Sequence, residues 1–287
     1  MADTQKEYLV GVVHPTNRPE AGQELNLDTL IPAKIKFVSL TMNFTRGTEE
    51  EFSTSMPGYE AKAAELAKMG ADLVRPSGAP PFMLLGYQRE QELIASWEKK
   101  YRVQMFTSGQ NHVHALRTLG IKKFAGASYF PEKMNAIFAR YFTEAGFEVL
   151  AMEGIDSPFA DVPRVPPEKI FDFMKGIADK YKNADGIYML GSAWKTVAII
   201  DRLEKEIGRP LVHAAPARCW ETQLRLGLRH PIPGYGRLLA EMLLGNAIAA
   251  RLAPSDPRIR TALGRNASDK RLAGCWKMIQ NASSASA

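Results

Sequence analysis

The sequence predicts an α/β protein whose parallel sheets are covered by helices on both faces, and three observations carry that expectation. Short β-rich apolar runs alternate with longer amphipathic stretches, one short stretch recurs in outline in the second half of the chain, and the turns after the apolar runs are rich in Gly, Ser, Thr and Asn.

Strands are expected over Tyr8–His14, Asp72–Pro76, Val103–Thr107, Lys123–Ala127, Glu148–Met152, Gly186–Leu190 and Pro210–Ala214. Runs that are apolar throughout, rather than alternating, suit parallel strands buried on both faces. Between them, Tyr59–Met69, Gln88–Lys100, Pro131–Ala145, Pro167–Lys182, Lys195–Ile207 and Ala217–Leu226 carry apolar residues at helical spacing. One more helix is expected over Tyr235–Leu252, and Asn281–Ala287 reads as a frayed end.

The recurring stretch pairs Ala71-Asp72-Leu73-Val74-Arg75-Pro76-Ser77-Gly78-Ala79 with Ala184-Asp185-Gly186-Ile187-Tyr188-Met189-Leu190-Gly191-Ser192. Both copies read Ala-Asp, then a strand, then a glycine and small residues, and each lies between two helices. A short repeat period would mean a solenoid. A single echo this far apart suggests two similar lobes, against the alternative that strand-to-helix turns commonly carry Gly.

Composition narrows the class. The 287 residues are 45% hydrophobic and 24% charged, as in ordinary globular enzymes. That length allows one large domain or two lobes. No apolar run approaches the ~18–20 residues of a membrane span, and the opening MADTQKEYLV has no apolar signal core, so a cytoplasmic chain is expected. The two cysteines, Cys219 and Cys275, then read as free thiols of a reducing compartment. Net charge is +6, but the basic residues interleave with acids, as in WEKKYR and DRLEKEIGR, whereas a nucleic-acid binder concentrates them in a stripe. A basic surface suits an anionic substrate.

In parallel sheets, ligands bind beyond the carboxyl ends of the strands. That directs attention to His14-Pro15-Thr16-Asn17, Ser77-Gly78-Ala79, Ser108-Gly109-Gln110-Asn111, Ala127-Ser128-Tyr129, Gly191-Ser192-Ala193 and His213-Ala214. Backbone N–H groups at helix starts hold anions, so a small carboxylate is the expected substrate class. Self-association into a homo-oligomer stays open, and neither nucleic acid nor a membrane is an expected partner.

Several segments add a resemblance. They are Gly11-Val12-Val13-His14-Pro15, Gly70-Ala71-Asp72-Leu73-Val74 leading to Gly78, the helix end Ala115-Leu116-Arg117-Thr118-Leu119-Gly120, Pro216-Ala217 with Trp220 after Gly208-Arg209-Pro210-Leu211-Val212, and Pro233-Gly234-Tyr235-Gly236-Arg237-Leu238. In order and spacing these resemble the arylmalonate decarboxylase and maleate cis–trans isomerase branch of the aspartate/glutamate racemase superfamily, over roughly residues 8 to 245. The resemblance implies two pseudo-symmetric lobes, each a parallel sheet flanked by helices, with the active site in the cleft between them. It places residues 1–117 and 215–287 in the first lobe and 118–214 in the second. It also implies one catalytic position per lobe, after each echoed strand: racemases carry cysteine at both, and the decarboxylase keeps only the second, to protonate an enediolate after carbon dioxide leaves.

Here those positions match Gly78 and Gly191, so neither thiol is present. The family's hydroxyl donors after the first position align with Ala79 and Pro80, and its tyrosine aligns near Tyr129. Candidate replacements as acid or base are His14 and His213, at strand ends, with His112 opening a helix at the same rim, since histidine titrates near neutrality. Asp161 and Tyr129 complete the catalytic candidates. A histidine metal site matches no known ligand spacing, and no cofactor or metal is expected. The substrate-binding candidates are Thr16, Asn17, Gly78, Ala79, Ser128, Gly191, Ser192, Ala193 and Lys195, with Asn17 resembling an amide donor of the isomerase. The expectation is a cofactor-independent lyase or decarboxylase of a small carboxylic or dicarboxylic acid, working through an enediolate-like intermediate without a catalytic thiol. The alternatives are an isomerase or hydratase of a similar acid, or a non-catalytic carboxylate-binding protein.

Overall fold

A computed structural model of the chain describes residues 6–16, 25–155, 161–190 and 193–244. Of the candidate residues, Asn17, Gly191 and Ser192 lie outside these, as do Cys275 and the frayed end expected over Asn281–Ala287.

The first strand, β1 (Glu7–His14), pairs in parallel with β2 (Lys34–Thr41), from Glu7 opposite Lys34 to His14 opposite Thr41. Strand β2 was not among the expected strands. Its Lys34, Lys36, Ser39 and Thr41 break the apolar run because it is a half-covered edge strand with no neighbour on its outer side. The short α1 (Glu49–Ser53) is capped by the Thr48 side chain, which accepts from the Glu51 N–H. Helix α2 (Met56–Lys68) then buries Tyr59, Ala63 and Leu66. After it come β3 (Leu73–Pro76), α3 (Ala79–Met83), α4 (Tyr87–Tyr101), β4 (Gln104–Met105) and α5 (Ser108–Thr118). Thr107 and Gln110 close a reciprocal capping box at the start of α5.

The second half repeats the scheme with β5 (Lys123–Ser128), α6 (Glu132–Glu144), β6 (Glu148–Gly154), α7 (Pro167–Lys180), β7 (Gly186–Leu190), α8 (Ile200–Ile207) and β8 (Leu211–His213). Helices α9 (Ala214–Arg225) and α10 (Arg237–Glu241) follow. The helix expected over Tyr235–Leu252 is shorter where it is described: it stops after Glu241, where Met242 turns left-handed at φ 46°.

The result is two four-stranded sheets, parallel throughout, ordered β2-β1-β3-β4 and β6-β5-β7-β8. The two orders are the same, and the echoed stretches supply the third strand of each. The shared Asp has the same task in both. Asp72 donates its N–H to Leu9 O and accepts the Leu9 N–H on its carboxylate, both at 2.8 Å. Asp185 donates to Lys123 O at 2.8 Å and accepts the Lys122 and Lys123 N–H groups at 3.0 and 2.9 Å. Each clasp fixes the register at the amino ends of the central strands, opposite the ends where loops can form a site.

Side-chain contacts join the halves, three of them between helices and strands near the sheets. Tyr188 on β7 bonds His112 on α5, Tyr141 on α6 donates to Glu90 on α4, and Glu144 on α6 accepts the N–H of Tyr87 that opens α4. Helix α9 also crosses: it begins at the end of β8 and packs beside the Leu27–Leu30 turn of the first half. No helix among the described residues is long and apolar enough to cross a membrane.

Candidate active site

The carboxyl end of β3 is shaped by what glycine permits. Gly78 has φ +105°, and a Cβ there would lie 2.9 Å from Tyr59 Oη and 3.3 Å from Pro15 Cβ. Tyr59 cannot readily yield, since its hydroxyl donates to Ser77 O at 2.7 Å and its ring is fully buried. The position therefore excludes any side chain on both conformational and steric grounds. Its N–H donates to Ser108 Oγ at 3.2 Å. In the first turn of α3 that follows, Pro80 and Pro81 have no N–H to offer. Ala79, buried, supplies the N–H that opens the helix.

At the end of β1, His14 reaches solvent, and its Nε2 lies 3.3 Å from Ser39 Oγ. Its pKa is lowered to about 4, first by partial desolvation and then by the guanidiniums of Arg218 and Arg75, against a pull from Asp28. These charges form one cluster. Arg75 is buried on β3 and donates to Asp28 Oδ2 and to Thr222 Oγ1, both at 2.8 Å. Arg218 Nε lies 3.9 Å from the same Asp28 oxygen. Thr16, half-buried, follows on the rim.

At the end of β5, the Ser128 hydroxyl is fully buried. It donates to Asn135 Oδ1 at 2.6 Å and accepts the Phe130 N–H at 2.9 Å, so it holds the turn. Tyr129, half-buried, faces a cavity of about 440 Å³ between the two halves, which Arg46, Glu50, Phe130, Lys133 and Met134 also line. The Lys133–Glu49 ion pair at 2.5 Å spans its mouth. Trp194 packs edge-on against Tyr129 at 5.5 Å, and its buried indole N–H has no partner among the described residues. Such a donor costs ~1–3 kcal/mol unless something accepts from it. Ala193 beside it is buried and Lys195 is exposed.

The remaining candidates are held in place by neighbours. His213 accepts the Ala215 N–H on Nδ1 at 3.1 Å, capping α9, and its Nε2 lies 3.0 Å from Thr196 Oγ1. A ring that accepts on Nδ1 carries its proton on Nε2, so Thr196 accepts from it. Asp161 pairs with Arg164 at 2.5 Å on the surface, at the start of a 3-10 turn. His112 is buried, with Nδ1 2.8 Å from Tyr188 Oη and Nε2 unpartnered; burial and then the neighbouring His213 and Arg218 lower its pKa to about 3. Cys219 is fully buried, its thiol directed at Leu27 O at 3.5 Å, and burial pushes its pKa far up. No three His, Cys, Asp or Glu side chains cluster as metal ligands among the described residues.

The structure thus gathers His14, Thr16, Gly78 and Ala79 on the first sheet's rim, and Ser128, Tyr129 and Ala193 on the second's. Arg75, Arg218 and Trp194 were missed as site residues. The first had a sequence signal: a lone charge in the otherwise apolar strand Leu73–Pro76.

A sequence profile of the family described as arylmalonate decarboxylase matches residues 10–239. The chain belongs to this family. It is 23% identical over 213 residues to arylmalonate decarboxylase of Bordetella bronchiseptica, covering 72% of this chain and 87% of the relative. It is 20% identical over 250 residues to maleate isomerase of Geobacillus stearothermophilus, covering 82% and 98%. Among solved structures, maleate isomerase Iso of Pseudomonas putida S16 superposes with TM-score 0.73 at 20% identity, over 83% of this chain and 100% of that one. The maleate cis–trans isomerase of Nocardia farcinica, solved with a covalently bound succinylcysteine intermediate, gives 0.71 at 17% identity, over 82% and 99%. At these identities the superpositions establish a shared fold.

Proposed function

We propose that the chain is a cofactor-independent lyase that decarboxylates a small carboxylic or dicarboxylic acid without a thiol, its cleft lying between lobes divided at residues 117/118 and 214/215. The observation that carries this reading is Gly78, where the backbone and Tyr59 leave no room for the sulfur that thiol chemistry needs. The isomerase of Nocardia farcinica forms a succinylcysteine, so its reaction requires a thiol as nucleophile. Loss of carbon dioxide does not: the carbon–carbon bond breaks heterolytically, its electron pair passes into an enediolate, and a proton is then added at that carbon. The first step needs only stabilisation of the developing charge, for which the Ala79 N–H, the Tyr129 hydroxyl and the Trp194 indole N–H are the donors.

His14 is the proton donor in this reading. Desolvation first, and then the guanidiniums of Arg218 and Arg75, hold its pKa near 4; a substrate anion among the guanidiniums opposes the second cause and so favours the protonated ring. His213, with both ring nitrogens engaged, positions α9, and Asp161 remains tied to Arg164.

The test is incubation with arylmalonates and maleate in D2O, followed by NMR. Carbon dioxide release with one deuteron at the former carboxyl-bearing carbon is expected. It should survive iodoacetamide and Cys219→Ala and fall about 10²-fold in His14→Asn. Geometric isomerisation without carbon dioxide would replace this reading with the isomerase one, and inactivation by thiol alkylation would overturn its thiol-free mechanism.

A further inference from the structure

Helix α9 is buried at every position but one. Its other residues, from Ala214 to Arg225, are enclosed, while Arg218 keeps 30% of its side chain exposed. The location of that opening follows from register and topology. Helix α9 starts at His213, where β8 of the second sheet ends, and packs onto the first half. On the first sheet, Val12 stands opposite both Ser39 and Arg75, and His14 follows two residues later on the same face, bonded to Ser39. Arg75 and Arg218 approach one oxygen of Asp28, at 2.8 and 3.9 Å. Arg218 thus lies just past the carboxyl end of β8, in ion-pair range of Asp28, and its charge acts on His14 at the end of β1.

The pair beneath is built to hold charge. Asp28 and Arg75 are 3% and 4% exposed, and each keeps one buried polar atom without a partner, Oδ1 and Nε respectively. Arg218 joins the cluster through Nε, 3.9 Å from the Asp28 Oδ2 that Arg75 meets at 2.8 Å. Meanwhile the backbone donors expected to bind an anion are depleted at the first catalytic position. The Gly78 N–H serves Ser108, and two of the first three residues of α3 are prolines.

We infer that Arg218 is a substrate-binding residue, whose guanidinium takes a carboxylate entering beside His14 in place of the peptide N–H groups that Pro80 and Pro81 remove. This rests on reading the cleft as a carboxylate site. Asp28 and Arg75 are positioning residues: they set the height and direction of the Arg218 side chain, and a planar guanidinium so held can bind both oxygens of a carboxylate. Arg218 would then select acids with a second anionic group over monoanions.

Calorimetric titration of the full chain with malonate and with propionate tests this separately from turnover. The native chain should bind malonate more tightly than propionate. Arg218→Gln should weaken malonate at least ~10-fold, while Arg164→Gln, a surface cation elsewhere, should not change it. If the glutamine variant does not fold, Arg218→Lys decides. A point-like ammonium in place of the fork should weaken malonate by about 3- to 10-fold. Unchanged malonate affinity in a folded Arg218 variant overturns the inference and leaves the carboxylate reading standing. A native chain that binds neither acid overturns both.

Discussion

Arg75 and Tyr188 occupy the same place in the two halves, the fifth residue of each echoed stretch, on the third strand of each sheet. Arg75 lies in a buried charge cluster with Asp28 and Thr222. Tyr188 lies among rings, 4.8 Å from Phe142 and 5.7 Å from Phe124, and bonds His112. Three residues earlier, Asp72 and Asp185 make the same clasp. The copies agree at the amino ends of the strands, where the task is to hold a sheet together, and part toward the carboxyl ends. The strand-end residues show the same split: His14 after β1 faces guanidiniums and solvent, while Ser128 after β5 is sealed into its turn. Where the two elements still match, their residues hold the sheet; where they diverge, one half buries charge and the other buries rings.

If the two floors differ as described, breaking them should have unequal cost. Asp28→Ala leaves the Arg75 guanidinium buried without its carboxylate and should lower unfolding free energy by about 3–5 kcal/mol. Tyr188→Phe removes one hydroxyl and strands one imidazole nitrogen, at about 1–3 kcal/mol. Urea titrations of both variants give the ranking, and equal costs would mean that the first floor carries no special charge burden.

A smaller effect sharpens the comparison at the first catalytic position. Gly78→Cys places at this position the thiol that racemases are expected to carry, but must adopt φ +105° against Tyr59. It should cost about 1–3 kcal/mol of stability and yield no thiol-dependent turnover. Iodoacetamide-sensitive racemisation or isomerisation by that variant would show that the pocket adapts.

The smallest expected effect is on pH dependence, and it separates two contacts between the halves. Burial raises Glu90 to about 7, although Thr107 and Tyr141 donate to it. A carboxyl whose folded pKa lies above its unfolded value of 4.5 stabilises below that value, and the contribution is lost as pH rises from there to about 7. His112, lowered to about 3, acts in the opposite direction. The folded state resists the proton that the unfolded chain takes up, so stability falls as pH drops below about 6.5. Both groups therefore act between about pH 4.5 and 6.5, with opposite sign: over that window Glu90→Gln should make melting temperature climb more steeply with pH, and His112→Asn should make it climb less. A Glu90→Gln curve with the native slope from about pH 4.5 to 7 would place Glu90 in its ionised form.

Much of the fold was legible in residues whose roles are local. Continuous apolar runs such as Gly186–Leu190 marked strands covered on both faces, and Ala-Asp at two places marked the third strand of each sheet. The edge strand β2 escaped because a strand with one open side keeps its lysines, and its Lys34-Ile35-Lys36 start resembles a loop. In the site, Gly78 could be singled out by motif. That the glycine excludes a side chain depends on Tyr59 and Pro15, neighbours from another helix and another strand.

The sequence alone determined the α/β class and the family, because these rest on residue type, spacing and order along one chain. Only the tertiary structure decided which polar groups meet. It brought Arg218 to Asp28, tied His213 to the start of α9 and sealed Cys219 under the Leu27–Leu30 turn. The physical reason is that a side chain's charge state and reach depend on burial and on partners distant in sequence. Asp28, Arg75 and Arg218 span nearly the whole described chain before Coulomb attraction and desolvation can act on them together.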